Sequence, residues 1–123
     1  MTEQRLTFRP HHRLSGKLAF GRVFDAKHKA SRGPITVFAI ANGLAHSRLG
    51  LSIGRRVGNA PRRNRLKRKI REAFRLSQHE WPIGYDWVVT AHRHHDMPLE
   101  RYVAVLTELV TRLADAERTK GTT

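Results

Sequence analysis

The apolar positions of this chain change period several times, and each change marks an element. After a polar, basic and unpatterned start (Met1 to Arg13), Leu18, Phe20, Val23 and Phe24 recur at helical spacing. They predict an amphipathic helix of about three turns with Ser15 as its cap. Lys27 to Pro34 is turn-rich, with room for a short edge strand. Ile35 to Ala41 and Arg48 to Ile53 then predict two strands, joined by a polar loop around Asn42-Gly43. Alternate strand side chains point to opposite faces. One face takes Ile35, Val37 and Ala39 with Leu49, Leu51 and Ile53, an ordinary core. The other takes Thr36, Phe38 and Ile40 with Gly50 and Ser52, a mixture that suits an open, half-solvated surface.

Gly54 to Ala60 leads to a helix expected to start near Pro61, since proline is favoured at the first helical position and pushes Ala60 out of helical geometry. Gly58 and Asn59 are both residues that tolerate left-handed backbone at this turn. Leu66, Ile70, Ala73 and Phe74 form the buried stripe of that helix. Trp87 to Ala91 reads as a further strand. A last helix is expected from Pro98, capped by Asp96, with Leu99, Tyr102, Val103, Leu106, Leu109, Val110 and Leu113 on one face. Residues 1–12 are expected to be a flexible basic arm, and 117–123 a frayed tail. There are no internal repeats. The order α-β-β-β-α-β-α predicts one α+β domain over residues 1–123, with a single mixed sheet of about four strands packed with three helices.

Composition narrows what such a domain does. At 123 residues and a net charge of +14, with no cysteine, the chain has neither disulfides nor thiolate chemistry. No apolar run approaches a membrane span and no apolar signal core opens the sequence, so a soluble cytoplasmic protein without a membrane partner is expected. The excess of cations points to a polyanionic partner.

That excess is concentrated. From Arg55 to Arg75 the sequence carries ten Lys/Arg against one acid, Glu72, so nine of the fourteen net charges sit in about a sixth of the chain. Asn64, Arg68, Arg71 and Arg75 fall on the side of the helix away from its apolar stripe, flanked by Arg65 and Lys67. A merely solvated helix surface mixes signs and gains ~0.2–0.5 kcal/mol per acid–base pair; here one acid is available. Arg62, Arg63 and Arg65 also occupy the first turns, where the helix dipole disfavours cations. The arrangement opposes the helix locally and becomes sensible when phosphates occupy that end, with arginine supplying forked contacts.

Other chemistry finds little support. His92, His94 and His95 with Asp96 lack the spacing of helical zinc motifs, and His11-His12 lies in the arm. Asp86, Asp96 and Glu100 are scattered, so no acid/base pair emerges. Neither a nucleophile elbow nor a phosphate loop is present. The polypeptide alone is not expected to be catalytic or to hold a metal.

The residues Gly58-Asn59-Ala60, Arg63-Asn64-Arg65, Lys67-Arg68, Ile70, Arg71-Glu72 and Phe74-Arg75 resemble, in order and density, the signature of the bacterial ribonuclease P protein component. Arg13-Leu14 with Phe20 and Val23-Phe24, the strands at Ile35 and Leu49, Arg55-Arg56, the strand at Trp87 and the Leu-rich last helix extend the likeness over roughly residues 13 to 115. Pro61 departs from the usual aliphatic or threonine residue. His92 to His95 depart from the commoner Arg/Lys-Pro, leaving Arg93 as the fixed cation there.

The resemblance implies a fold like domain 2 of ribosomal protein S5. It also implies a subunit of a ribonucleoprotein endonuclease whose catalyst is its RNA, with Mg²⁺ bound mainly by that RNA. The implied partners are the catalytic RNA subunit and precursor tRNA, with no obligate protein partner. The implied RNA-subunit contacts are Arg62, Arg63, Asn64, Arg65, Lys67, Arg68, Arg71 and Arg75. The 5′ leader of precursor tRNA would meet Phe20, Phe24, Thr36, Phe38, Ser52, Arg55, Arg56 and Arg93, aromatic platforms beside a cationic track. The competing readings are a ribosomal or other structural RNA-binding protein and, behind it, a DNA-binding regulator using the basic helix. No leucine heptads follow Phe74 to support the latter.

Overall fold

The computed structural model describes residues 8–121 of the chain, with side chains to residue 117. Its elements are α1 (Lys17–Asp25), β1 (Lys29–Arg32), β2 (Ile35–Ala41), β3 (Arg48–Ser52), α2 (Ala60–Ser77), β4 (Tyr85–Ala91) and α3 (Leu99–Gly121), with single 3-10 turns at Pro10–His12 and Arg55–Val57. The four strands form one sheet in the order β1-β2-β4-β3. β3 and β4 run parallel, joined across the sheet by α2, and the other pairs are antiparallel. Strand parity places the core as expected. Ile35, Val37, Ala39, Leu49 and Ile53 are buried, with Leu51 packed beside them, among Leu66, Ile70, Ala73 and Phe74 of α2 and Tyr102, Leu106, Leu109 and Val110 of α3.

The second face is less open than its composition suggests. α1 lies over part of it, burying Val23 against Val88 and Leu14, with Ala19, Phe20, Phe24, Phe38 and Ile40 packed around them. Only the strip beyond α1 stays exposed.

Helix starts differ from expectation in three places, each for a local reason. Gly16, at φ +94, occupies the cap position of α1, and Ser15 supplies no side-chain bond. Asn59 caps α2, its Oδ1 accepting from the Arg62 amide at 3.1 Å. The cap outweighs the restriction from Pro61, so Ala60 is already helical. Asn59 itself has φ −70, and Gly58 alone takes the left-handed region at φ +147. Asp96 does not cap α3: the Pro98 carbonyl accepts from the amides of Arg101 and Tyr102, while the Asp96 carboxylate receives Lys69 Nζ at 2.8 Å. α3 continues to Gly121, into the segment expected to fray.

The largest difference is at the start of the described chain. Residues 1–7 of the expected arm lie outside the described residues, but 8–12 are docked. The Leu14 amide donates to the Leu49 carbonyl at 2.9 Å, and Phe8 meets Phe74 edge-on at 5.4 Å. His12 is only 9% exposed, and its Nδ1 accepts from the Arg9 amide at 3.0 Å. We call residues 8–14 the strap.

The strap carries a pH dependence. Burial, then the proximity of His11, His46, Arg9 and His79, hold the His12 imidazole below the ordinary histidine range. The folded state therefore keeps His12 neutral, while the unfolded or undocked segment takes up a proton at about pH 6.5. The contribution of docking is complete above that value and declines as pH falls through it, since the released state binds more protons. Relative to a core amide, hydrogen-exchange protection of Leu14 should fall between about pH 7.5 and about pH 5.5, and His12→Gln should flatten the change. Equal relative protection of Leu14 at both pH values would contradict this.

Candidate nucleic-acid interface

α2 carries eight Lys/Arg, and the structure divides them into two groups. Three are engaged within the protein. Arg62 donates to the His94 carbonyl. Lys69 binds Asp96 and, at 2.7 Å, the Met97 carbonyl. Arg75 pairs with Glu72, one turn earlier on the helix. The Arg75 bond holds the Glu72 carboxyl below the usual carboxylate range, and Lys69 does the same for Asp96. These cations fasten α2 to itself and to the loop before α3. His94 completes the clasp, its Nε2 2.8 Å from the Tyr102 hydroxyl.

The second group is Arg63, Arg65, Lys67, Arg68 and Arg71. Arg65 and Arg68 are exposed and the others half-buried. Asn64 and Arg68 border one cleft with Phe8, Arg71 and the Glu72–Arg75 pair. A second cleft lies alongside, where Lys67 and Arg71 face Arg13 and Phe8 of the strap, Phe20 of α1 and Gly50 of β3. Burial, then the nearby Arg13, push the Arg71 guanidinium below its ordinary pKa. Among the described residues no acidic side chain lines this second cleft. Three cations converging there without a counter-charge make a site for an anion.

The second cleft shares Phe20 and Gly50 with the sheet face that α1 covers in part. Phe24 meets Phe38 edge-on at 4.8 Å, and Lys29 Nζ stands 5.5 Å from the Phe38 ring centre. Phe20 brings the tip of its ring against the sheet because its neighbour there is glycine: a Cβ on Gly50 would stand 2.6 Å from the Phe20 ring. Beyond these rings, Ser52 and Thr36 flank Thr90 in register on the same face. Arg55 and Arg56, in the turn following β3, and Arg93, following β4, are all exposed. Because β3 and β4 are parallel, these three arginines leave the sheet from the same end.

A family model described as Ribonuclease P matches residues 8–114. The chain belongs to the ribonuclease P protein family. Ribonuclease P protein components are its sequence relatives. That of Haemophilus influenzae (strain PittGG) is 43% identical over 88 residues, covering 71% of this chain and 73% of the relative. That of Photobacterium profundum is 35% identical over 116 residues, covering 93% and 98%. Among solved structures, the ribonuclease P protein of Thermotoga maritima superposes with a TM-score of 0.75 at 30% identity, over 81% of this chain and 96% of that one. The Staphylococcus aureus protein gives 0.71 at 28% identity, over 84% and 94%. The chain is thus a protein component of ribonuclease P, a ribonucleoprotein endoribonuclease, and its general partner is an RNA subunit.

Within a ribonuclease P protein, the residues expected from sequence fall into two adjoining regions. Asn64, Lys67, Arg68 and Arg71 line the two clefts on the outer side of α2, Arg65 lies on its flank toward Asp96, and Arg63 is half-buried near the helix start. Phe20, Phe24, Thr36, Phe38 and Ser52 line the open strip, with Arg55, Arg56 and Arg93 at its end. Arg62 and Arg75 differ, since their guanidinium groups serve contacts inside the protein. Four residues of this surface were assigned no RNA contact from sequence, though Arg13 and Gly50 were named there. Phe8 and Arg13 come from the strap. Gly50 seats Phe20, and Thr90 shares the row of Thr36 and Ser52. Thr90 was legible in principle, because WVVTA puts Val88 and Thr90 on one face. Phe8 was not, because its partners lie some sixty residues away.

Proposed function

We propose that this protein holds the catalytic RNA on the outer surface of α2 and the single-stranded 5′ leader of precursor tRNA in the groove beside α1. In doing so it promotes endonucleolytic release of the leader to give the mature tRNA 5′ end. The observation that carries the reading is the cleft where Arg13, Lys67 and Arg71 converge with no acid among the described residues. It joins the arginine-rich helix surface to the aromatic strip, so one RNA assembly can contact both. Phe20 and Phe38 offer ring surface to unpaired bases, and the exposed arginines at the strip's end hold phosphates. Protein side chains position RNA in this reading, and bond cleavage belongs to the RNA.

Magnesium is assigned to the RNA as well. Three of the protein's acids are paired with cations: Asp86 with Arg48, Glu72 with Arg75 and Asp96 with Lys69. Among the described residues no three His, Asp or Glu converge to hold an ion. Among the described residues no helix is long and apolar enough to cross a membrane, and the reading places the protein in the cytoplasm with its RNA partners.

The test is cleavage of a precursor tRNA by a bacterial catalytic RNA at low Mg²⁺, with and without the protein. Strong stimulation that fades as the leader is shortened is expected. Tight RNA binding without stimulation would overturn the reading in favour of a structural RNA-binding role.

A further inference from the structure

The sheet carries a feature that the aromatic groove does not account for. On the face covered in part by α1, the strand registers align Ser31 with Thr36, Thr36 with Thr90, and Thr90 with Ser52. In the strand order β1-β2-β4-β3 these four hydroxyl side chains form one unbroken belt across the whole sheet. The next row on the same face is Lys29, Phe38, Val88 and Gly50, the row on which Phe24 and Phe20 rest. α1 covers the middle of that row, burying Val88 and leaving Phe38 half-buried, and leaves the belt beyond it accessible: Ser31 and Ser52 are exposed, Thr36 and Thr90 half-buried. Ser31 and Thr36 bond to each other at 2.7 Å. Among the described residues the hydroxyls of Thr90 and Ser52 have no hydrogen-bond partner.

Three strand spacings give the belt a length of roughly 14 Å, and two residues along a strand separate it from the aromatic row by roughly 6.6 Å. A strand of nucleic acid laid across the sheet would therefore present its bases to the aromatic row and its sugar–phosphate chain to the belt. A hydroxyl both donates and accepts, so it suits phosphate oxygens and the ribose 2′-hydroxyl alike. Arg93, Arg55 and Arg56 follow directly on the strand ends carrying Thr90 and Ser52, which supplies the charge that hydroxyls lack.

We propose that Ser31, Thr36, Thr90 and Ser52 form a backbone-recognition track for single-stranded RNA, with Thr90 as its central residue. The proposal rests on the leader-groove reading given above and adds to it a contact to sugar and phosphate in the middle of the sheet. It applies to any leader sequence, because the groups recognised are common to all nucleotides.

The experiment measures, with the assembled ribonucleoprotein, the ratio of affinities for a precursor tRNA with a long 5′ leader and one with a single leader nucleotide. Thr90→Val keeps the shape and strand preference but removes the hydroxyl; Thr90→Ser keeps the hydroxyl. The ratio should fall about three- to tenfold in Thr90→Val, the effect of one or two neutral hydrogen bonds, and should be largely retained in Thr90→Ser. A 2′-deoxy leader distinguishes the two sources. If the bond is to ribose, wild type loses the same factor and Thr90→Val loses nothing further; if it is to phosphate, the valine effect persists on the deoxy leader. An unchanged ratio in Thr90→Val, or an equal loss in Thr90→Ser, overturns the track while leaving the groove standing. A wild-type ratio near one would overturn groove and track together.

Discussion

Replacing Arg65 and Arg68 by glutamate should abolish assembly with the catalytic RNA at physiological salt. Both side chains are exposed on the outer surface of α2, and neither takes part in the clasp formed by Arg62, Lys69 and His94. Their loss therefore removes phosphate contacts without opening the core. Each phosphate neutralised on duplex-like nucleic acid contributes about 0.9 to the log–log salt slope. At 0.15 M salt two lost contacts correspond to roughly 30-fold in affinity, and the new repulsion from two carboxylates carries the loss beyond about a hundredfold. The salt slope should also become shallower by about 2 units, from roughly −5 when six such contacts are made. Circular dichroism of the double variant should match wild type. Affinity within about threefold of wild type at 0.15 M, with an unchanged slope, would remove α2 from the interface.

Paired cations give the comparison. Lys69→Ala or Arg62→Ala should act through the loop before α3, which carries Arg93, rather than through direct phosphate contact. The sequence could not make this distinction. It showed eight Lys/Arg on one helix, but not that His94, Met97 and Asp96 would come to rest against two of them. Periodicity specifies which face a residue occupies, and that much was legible: the buried stripe of α2, the core parity of β2 and β3, and the Leu-rich face of α3 all follow from it. Which element covers a face depends on contacts distant in sequence. α1 on the second sheet face, Phe8 against Phe74, and the insertion of β4 between β2 and β3 are of that kind. The hydroxyl belt is the clearest case, because Ser31, Thr36, Ser52 and Thr90 become a row only when the strand order is known. The caps misjudged from sequence are a simpler case. Ser15 and Asp96 have the right chemistry, but Gly16 takes the cap position of α1 and Lys69 holds the Asp96 carboxylate, while Asn59, read from sequence only as a turn residue, caps α2.

Asp86→Ala should be the most destabilising single substitution at the end of the sheet remote from the RNA-facing arginines. Asp86 is 6% exposed. Its carboxylate accepts from Arg48 Nε at 2.8 Å and Nη2 at 2.7 Å, and from Asn42 Nδ2 at 2.9 Å. Arg48 and Asp86 are register neighbours on the parallel strands, so the pair sits across the β3–β4 seam. Its bond to Asp86 raises the Arg48 guanidinium above its ordinary pKa. Asn42 links the carboxylate to the β2–β3 loop, accepting from the Leu44 amide at 2.8 Å and donating to the His46 carbonyl at 3.2 Å.

Removing the carboxylate leaves Arg48 partly desolvated beside a chain that already carries +14, and frees the loop anchored by Asn42. Breaking a buried pair from one side costs about 3–5 kcal/mol; because the Arg48 side chain is 31% exposed, about 2–3 kcal/mol is expected here. That corresponds to a Tm roughly 10 °C lower for a domain of this size. The comparison must be made without RNA, which would stabilise both proteins by mass action. Arg48→Met in the Asp86→Ala background should recover part of the loss, since it removes the stranded charge. A Tm within about 2 °C of wild type for Asp86→Ala would show that water replaces the carboxylate freely and that the seam is held by its backbone ladder and core alone.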